Sequence, residues 1–280
     1  MGPLIMALSS AVAYGASDFL GGLASRRVAV LRVLMVSYPV SSLLVTVAAF
    51  VAGGSADVAS LVWGALSGIA LAVAAWTFYL ALAVGPISVI SPITALLSAA
   101  VPMGVGLALG ERPDATSMLG VGLALVAVVL VSLAPHADTK ATHPFTRFVA
   151  LLTVGAGLSF AFSYVFTGQI AEGTGLWPIV VARWTATVAV FAVAASRSSM
   201  SPPRGGALVQ AAAIGVLDAI AHLTMLLALQ QGLLSIGSVV ISLFPAVTVI
   251  LAVSVLREKL TRTQIGGLAL GAIAIGLIGA

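Results

Sequence analysis

Ten apolar runs, each long enough to cross a lipid bilayer, follow one another along this 280-residue chain. They cover about residues 3–24, 31–51, 58–82, 87–109, 115–134, 147–170, 177–195, 207–229, 235–256 and 262–279. A membrane-spanning helix needs roughly 17–25 mostly apolar residues. The connections are mostly a few residues of Gly, Pro and charge, such as residues 25–27, 53–57, 85–86 and 110–114. Only 135–147 and 196–206 form longer polar stretches. Charged residues make up 7% of the chain, against roughly 25% in a soluble domain. With so few charges no helix has a polar face for water to wet. The expected fold is an all-α membrane protein of ten transmembrane helices, and the expected location is the cytoplasmic membrane of a bacterium. MGPLIMALSS at the start carries no basic n-region, so the first run reads as a span rather than a cleaved signal.

Five runs lie on each side of the polar stretch at 135–147, and the two sides repeat at an offset of 147 residues. ALAVGPISVIS (81–91) lies over ALQQGLLSIGS (228–238), and LGERPDATSMLGVGL (109–123) over LREKLTRTQIGGLAL (256–270). Without gaps, residues 81–133 and 228–280 share 14 identities in 53 positions; a composition this skewed gives about 5 by chance, so the halves read as a duplication. The reading is a first repeat over 1–134, a connecting loop over 135–146 and a second repeat over 147–280. Because five is odd, consecutive five-helix halves sit upside down relative to one another. Inverted repeats around a site at the bilayer midplane are a transporter architecture.

In these residues the sequence resembles the drug/metabolite transporter superfamily, and within it the ten-helix EamA-type members. Pro245 stands thirteen residues before Glu258, with Gly267 in the next helix; the first half shows Gly110–Glu111 and Gly120, with Ser98 at the proline position. YGASDF (14–19) is similar to the family's aromatic-Gly-x-x-x-Phe opening with an acid inserted, and Arg32 and Arg183 match the arginine that begins the second helix of a repeat. The resemblance implies transport of a small organic solute by alternating access. It also implies a cavity lined by the first, third, fourth, sixth, eighth and ninth helices.

Ionisable residues inside spans are costly and are functional candidates by default. Asp218 stands at the middle of the eighth run, and His222 follows at i+4 on the same face. Such a pair titrates as a unit, as a proton-coupled carrier requires; the alternative is a static hydrogen bond that locks helix packing. Asp18 in the first run has Tyr14 one turn before it, and either lines the cavity or leans out to Arg26 and Arg27. If one acid carries the proton, the eighth helix is the stronger choice, because Asp18 has that escape. Trp76 and Tyr79, three residues apart on the third run, could stack on a planar or cationic solute or serve packing. Tyr164 on the sixth run and Gln169, Gln230 and Gln231 near helix ends are further polar candidates. Arg32 and Arg183 read as snorkelling or helix-end groups, with a substrate carboxylate as the alternative. Glu111 and Glu258 read as loop residues, each just before a helix cap, Asp114 or Thr261. Pro39, Pro92, Pro102 and Pro245 offer kinks.

The expected function is therefore a secondary transporter of a small metabolite or drug-like solute, with proton-coupled export as its finer form. Its expected partners are the solute, membrane lipid and protons as the coupling ion, in a monomer or homodimer. The alternatives are an intramembrane enzyme and a non-transporting membrane subunit. Ser17 and His222 suggest a hydrolytic dyad, but no GxSxG turn surrounds Ser17, no HExxH occurs and only three histidines are present. No cofactor or metal is expected: the chain has no cysteine and no ATP-binding motif. The net charge of +4 comes from Lys and Arg scattered at run ends, which does not suggest nucleic acid. Ten of the twelve lie on the side opposite the termini, which predicts termini outside the cytoplasm; the resemblance implies the reverse.

Overall fold

The computed structural model of the chain describes residues 2–25, 28–55, 57–85, 87–132, 146–196, 201–257 and 260–280. Arg26, Arg27 and Glu258 lie outside the described residues, and so does the side chain of Tyr79. Among the described residues every regular element is a helix: α1 (Gly2–Ser25), α2 (Val30–Ala52), α3 (Val58–Val84), α4 (Ile87–Ala108), α5 (Ala115–Ser132), α6 (Arg147–Gly168), α7 (Trp177–Ser196), α8 (Gly206–Gln231), α9 (Leu234–Ile241), α10 (Phe244–Leu256) and α11 (Arg262–Gly279). Among the described residues nine stretches, one of them Leu234–Leu256 combining α9 and α10, are long and apolar enough to cross a membrane. α4 adds a shorter apolar stretch, Pro92–Ala108.

Local sequence accounts for where several helices begin. Asp57 caps α3, accepting from Ser60 N at 2.9 Å, and Asp114 caps α5, accepting from Ser117 N at 2.8 Å. Those N–H donors stabilise the carboxylate form and hold both acids below the ordinary carboxylate value. Thr146 caps α6, and Thr261 forms a reciprocal capping box with Gln264 at the start of α11. Proline acts unevenly. Pro39, Pro92 and Pro102 are absorbed within α2 and α4. Pro245 splits the ninth span, and the chain leaves the helix at Ser242–Leu243 before resuming as α10. It lacks an N–H, and its ring crowds the carbonyl four residues back.

Packing pairs exchange when the two halves are exchanged. α1 packs on α8 as α6 packs on α3, and α2 packs on α8 as α7 packs on α3. α4 meets α6 as the α9–α10 span meets α1, while α2 and α7 pair with each other, as do α5 and α11. The same exchange reaches single residues. A Cβ on Gly68 would stand 2.3 Å from the Ala182 carbonyl oxygen; at Gly215, 147 residues on, it would stand 2.5 Å from the Ser37 carbonyl oxygen. Both positions let a helix lie directly on its neighbour's backbone. Between helices in lipid such packing supplies the attraction that apolar burial supplies in water.

Candidate functional site

α8 carries the two groups at the centre of the site. His222 follows Asp218 by one turn, and its Nδ1 lies 2.9 Å from the Asp218 carbonyl oxygen and 3.4 Å from Asp218 Oδ1. From α7, Arg183 makes an ion pair with Asp218 Oδ2 and places Nη1 3.3 Å from His222 Nε2. From α1, the Tyr14 hydroxyl lies 3.2 Å from the same Nε2 and 3.6 Å from Met225 Sδ. From α2, the Tyr38 ring lies under the guanidinium, 4.6 Å from its centre. Four helices from both halves thus converge on one guanidinium and one imidazole.

The donors decide the histidine's form. A carbonyl oxygen can only accept, so Nδ1 carries the hydrogen. A guanidinium can only donate, so Nε2 is the acceptor, and Tyr14 donates to it too. His222 is therefore the neutral Nδ1–H tautomer, assigned from its partners. An added proton would turn Nε2 into a donor facing a cation. The sequence reading paired His222 with Asp218 alone and made the two a titrating unit; the guanidinium between them gives the histidine an acceptor's role and gives Asp218 a full counter-charge.

Arg183 is a correction to that reading. It is neither at a helix end nor snorkelling: it is the seventh residue of α7 and fully buried. Its guanidinium lies between the Tyr38 ring of α2 and Asp218 of α8, and Asp218, which is 17% exposed, is its only ionic partner among the described residues. A buried pair of this kind adds little net stability compared with apolar residues of the same shape. Removing one member leaves a bare charge in an apolar interior, which costs several kcal/mol. That asymmetry holds the two helices in register.

Asp18 has no ionic or hydrogen-bond partner among the described residues, and it is exposed. At 100° per residue it stands about 40° round α1 from Tyr14 and about 120–140° from Val12 and Ile5, which turn outward at 54% and 55% exposure. That places it on the side of α1 that carries Tyr14, turned away from the outward face. Tyr164 is buried beside Ala7 of α1 and Met225 of α8.

The remaining candidates are placed elsewhere. Trp76 shares an outward face of α3 with Val62, Ile69 and Val73, all exposed. Gln169 forms the C-cap of α6, and Gln230 donates to the Ala171 carbonyl at 2.9 Å, tying the end of α8 to the α6–α7 turn. The sequence reading missed Tyr38, and the resemblance did not place the second or seventh helix at the cavity. One signal was available: the chain has only four tyrosines, and three of them surround this cluster. A groove of about 550 Å³ between α2 and α7, lined by Pro39, Trp184, Thr187, Val188, Phe191 and Ala192, has no ionisable lining residue and opens beside the exposed Trp184 and Val188.

No curated protein matches the sequence. A solved crystal structure shares the fold, with a TM-score of 0.79 over 99% of this chain and 96% of its own at 13% identity; likeness at that identity carries the fold alone. Residues 147–280 match the model of the EamA-like transporter family. That half of the chain is thus similar to the EamA-like transporter family, and the described helices are long and apolar enough to cross a membrane many times.

Proposed function

We propose that the protein is a secondary transporter that carries a small organic solute across the membrane by alternating access, coupled to proton movement through Asp18. One observation carries this reading. Ionisable groups from both halves meet inside the bundle, and Asp18, on the same side of α1 as Tyr14, has no counter-charge among the described residues. With Arg183 and Asp218 neutralising each other, the Asp18 carboxylate has no counter-charge among the described residues, and a proton or a cationic group of the solute can balance it. The tyrosine hydroxyls can hydrogen-bond a solute or either form of a carboxyl. The exchangeable packing of the two halves supports a five-helix repeat as the moving unit, over 1–134 and 147–280, as midplane sites between repeats require. Export from a bacterial cytoplasm remains the proposed direction and location.

The test is uptake or efflux in proteoliposomes under an imposed pH gradient, with amino acids, nucleosides and cationic dyes as cargo. Gradient-driven transport by the parent and its loss in Asp18→Asn support the reading. Transport that continues unchanged in Asp18→Asn overturns the proton coupling, and no transport of any of these classes argues against the carrier reading.

A further inference from the structure

The turn GERPD (110–114) does more than join α4 to α5. Gly110 takes φ 101°, a left-handed conformation that L side chains rarely adopt. It lets Leu109 N donate to Val105 O at 2.9 Å and Glu111 N to Gly106 O at 3.0 Å. Arg112 Nη1 then covers the Glu111 carbonyl at 2.9 Å. With the turn fixed, the Glu111 side chain leaves its own half. Oε1 accepts from Leu234 N at 2.6 Å and Oε2 from Ser235 N at 2.8 Å, the first two residues of α9. A carboxylate on two orphan N–H groups at the positive end of a helix makes charge-assisted bonds.

Three details separate this contact from an ordinary cap. The residue preceding α9 is Leu233, which makes no side-chain capping bond, so capping is delegated across the two halves. Gly106 makes the room: a Cβ there would stand 2.4 Å from Glu111 Oε2 and 2.9 Å from Ser235 N. α9 is eight residues long and is severed from α10 at Ser242–Leu243, so the carboxylate holds a short lever rather than a whole span. Glu111 is half-buried at the end of α4, where water can take over both N–H groups once the carboxylate withdraws.

We propose that Glu111 is a releasable latch: by gripping the N-terminus of α9 it holds the α4–α9 end of the bundle closed, and opening that end requires the carboxylate to let go. The proposal rests on the alternating-access reading, but its test needs no cargo. The chain has no cysteine, so Ser235→Cys and Ser238→Cys each introduce a single thiol. Both positions are buried, and Ser235 Oγ has no hydrogen-bond partner to lose. Labelling by a membrane-impermeant maleimide is followed in lipid nanodiscs, alone and with Glu111→Gln or Gly106→Ala. Gly106→Ala keeps the carboxylate and displaces it, so the latch stays testable if Glu111→Gln folds poorly. Loss of a charge-assisted bond corresponds to a population shift of about tenfold, so labelling at both thiols is expected to rise by about that factor in both variants. A rise confined to Cys at 235 means a frayed static cap and overturns the latch, as does labelling unchanged at both sites. Either result leaves the transport reading standing, because that depends on the gradient experiment.

Discussion

Asp18 and Asp218 stand inside apolar helices of opposite halves, facing the same cluster of tyrosines, yet they are held differently. Asp218 is locked between the guanidinium of Arg183 and the imidazole of His222. Asp18 is exposed and has no ionic partner among the described residues. The first arrangement spends a full counter-charge on holding α7 against α8. The second, on the proposed function, leaves a charge for a proton or a cationic solute. Depth in the membrane does not by itself set how an acid is held; among the described residues, the nearest cation does.

The comparison breaks most visibly at Arg183. Arg183→Leu strands Asp218 and is expected to cost about 3–5 kcal/mol in thermal unfolding, whereas the double variant Arg183→Leu with Asp218→Leu recovers most of that loss. Equal losses in the single and double variants would mean that the pair does not organise the site. Asp18→Asn is the contrasting case. Its thermal unfolding should stay within about 0.5 kcal/mol of the parent, as for a group without partners, while pH-gradient-driven transport falls at least tenfold. A large stability loss there would show that Asp18 is held as firmly as Asp218.

Tyr14→Phe sharpens the link between the two acids, because Tyr14 shares a face with Asp18 and donates to His222. Removing the hydroxyl should cost about 1 kcal/mol and leave the Arg183–Asp218 pair intact; the readout is the melting temperature beside that of Arg183→Leu. The smallest effect lies outside the spans. Asp57 and Asp114 are held below their ordinary value near 3.8, so the stability they add is present above that value and is lost as pH falls through the lowered folded value. Melting temperature should decline below about pH 4 in the parent and decline less in Asp57→Asn with Asp114→Asn.

Much of this was legible along the chain. Ten apolar runs dictate spans because lipid offers backbone groups no other partner. The i, i+4 spacing puts Asp218 and His222 on one face, prolines inside spans offer kinks, and acids and threonines before apolar runs predict caps. Asp114, Thr261 and Pro245 act as that local chemistry requires. Local chemistry also has limits: Pro39, Pro92 and Pro102 have the same covalent structure as Pro245 and leave their helices continuous.

What tertiary structure alone decided is which charges meet. Arg183 lies thirty-five residues before Asp218 on another helix, and nothing in its neighbours in sequence announces a buried cation. Glu111 reads as a loop acid until packing brings α9 against the end of α4. Span and cap depend on neighbours within a turn or two, so the sequence by itself determined them; which proline breaks its helix it did not. Partnership between charges depends on which helices lie side by side, and in this chain that is set by glycine-mediated contacts such as those at Gly68 and Gly215, where the missing Cβ lets one backbone rest on another.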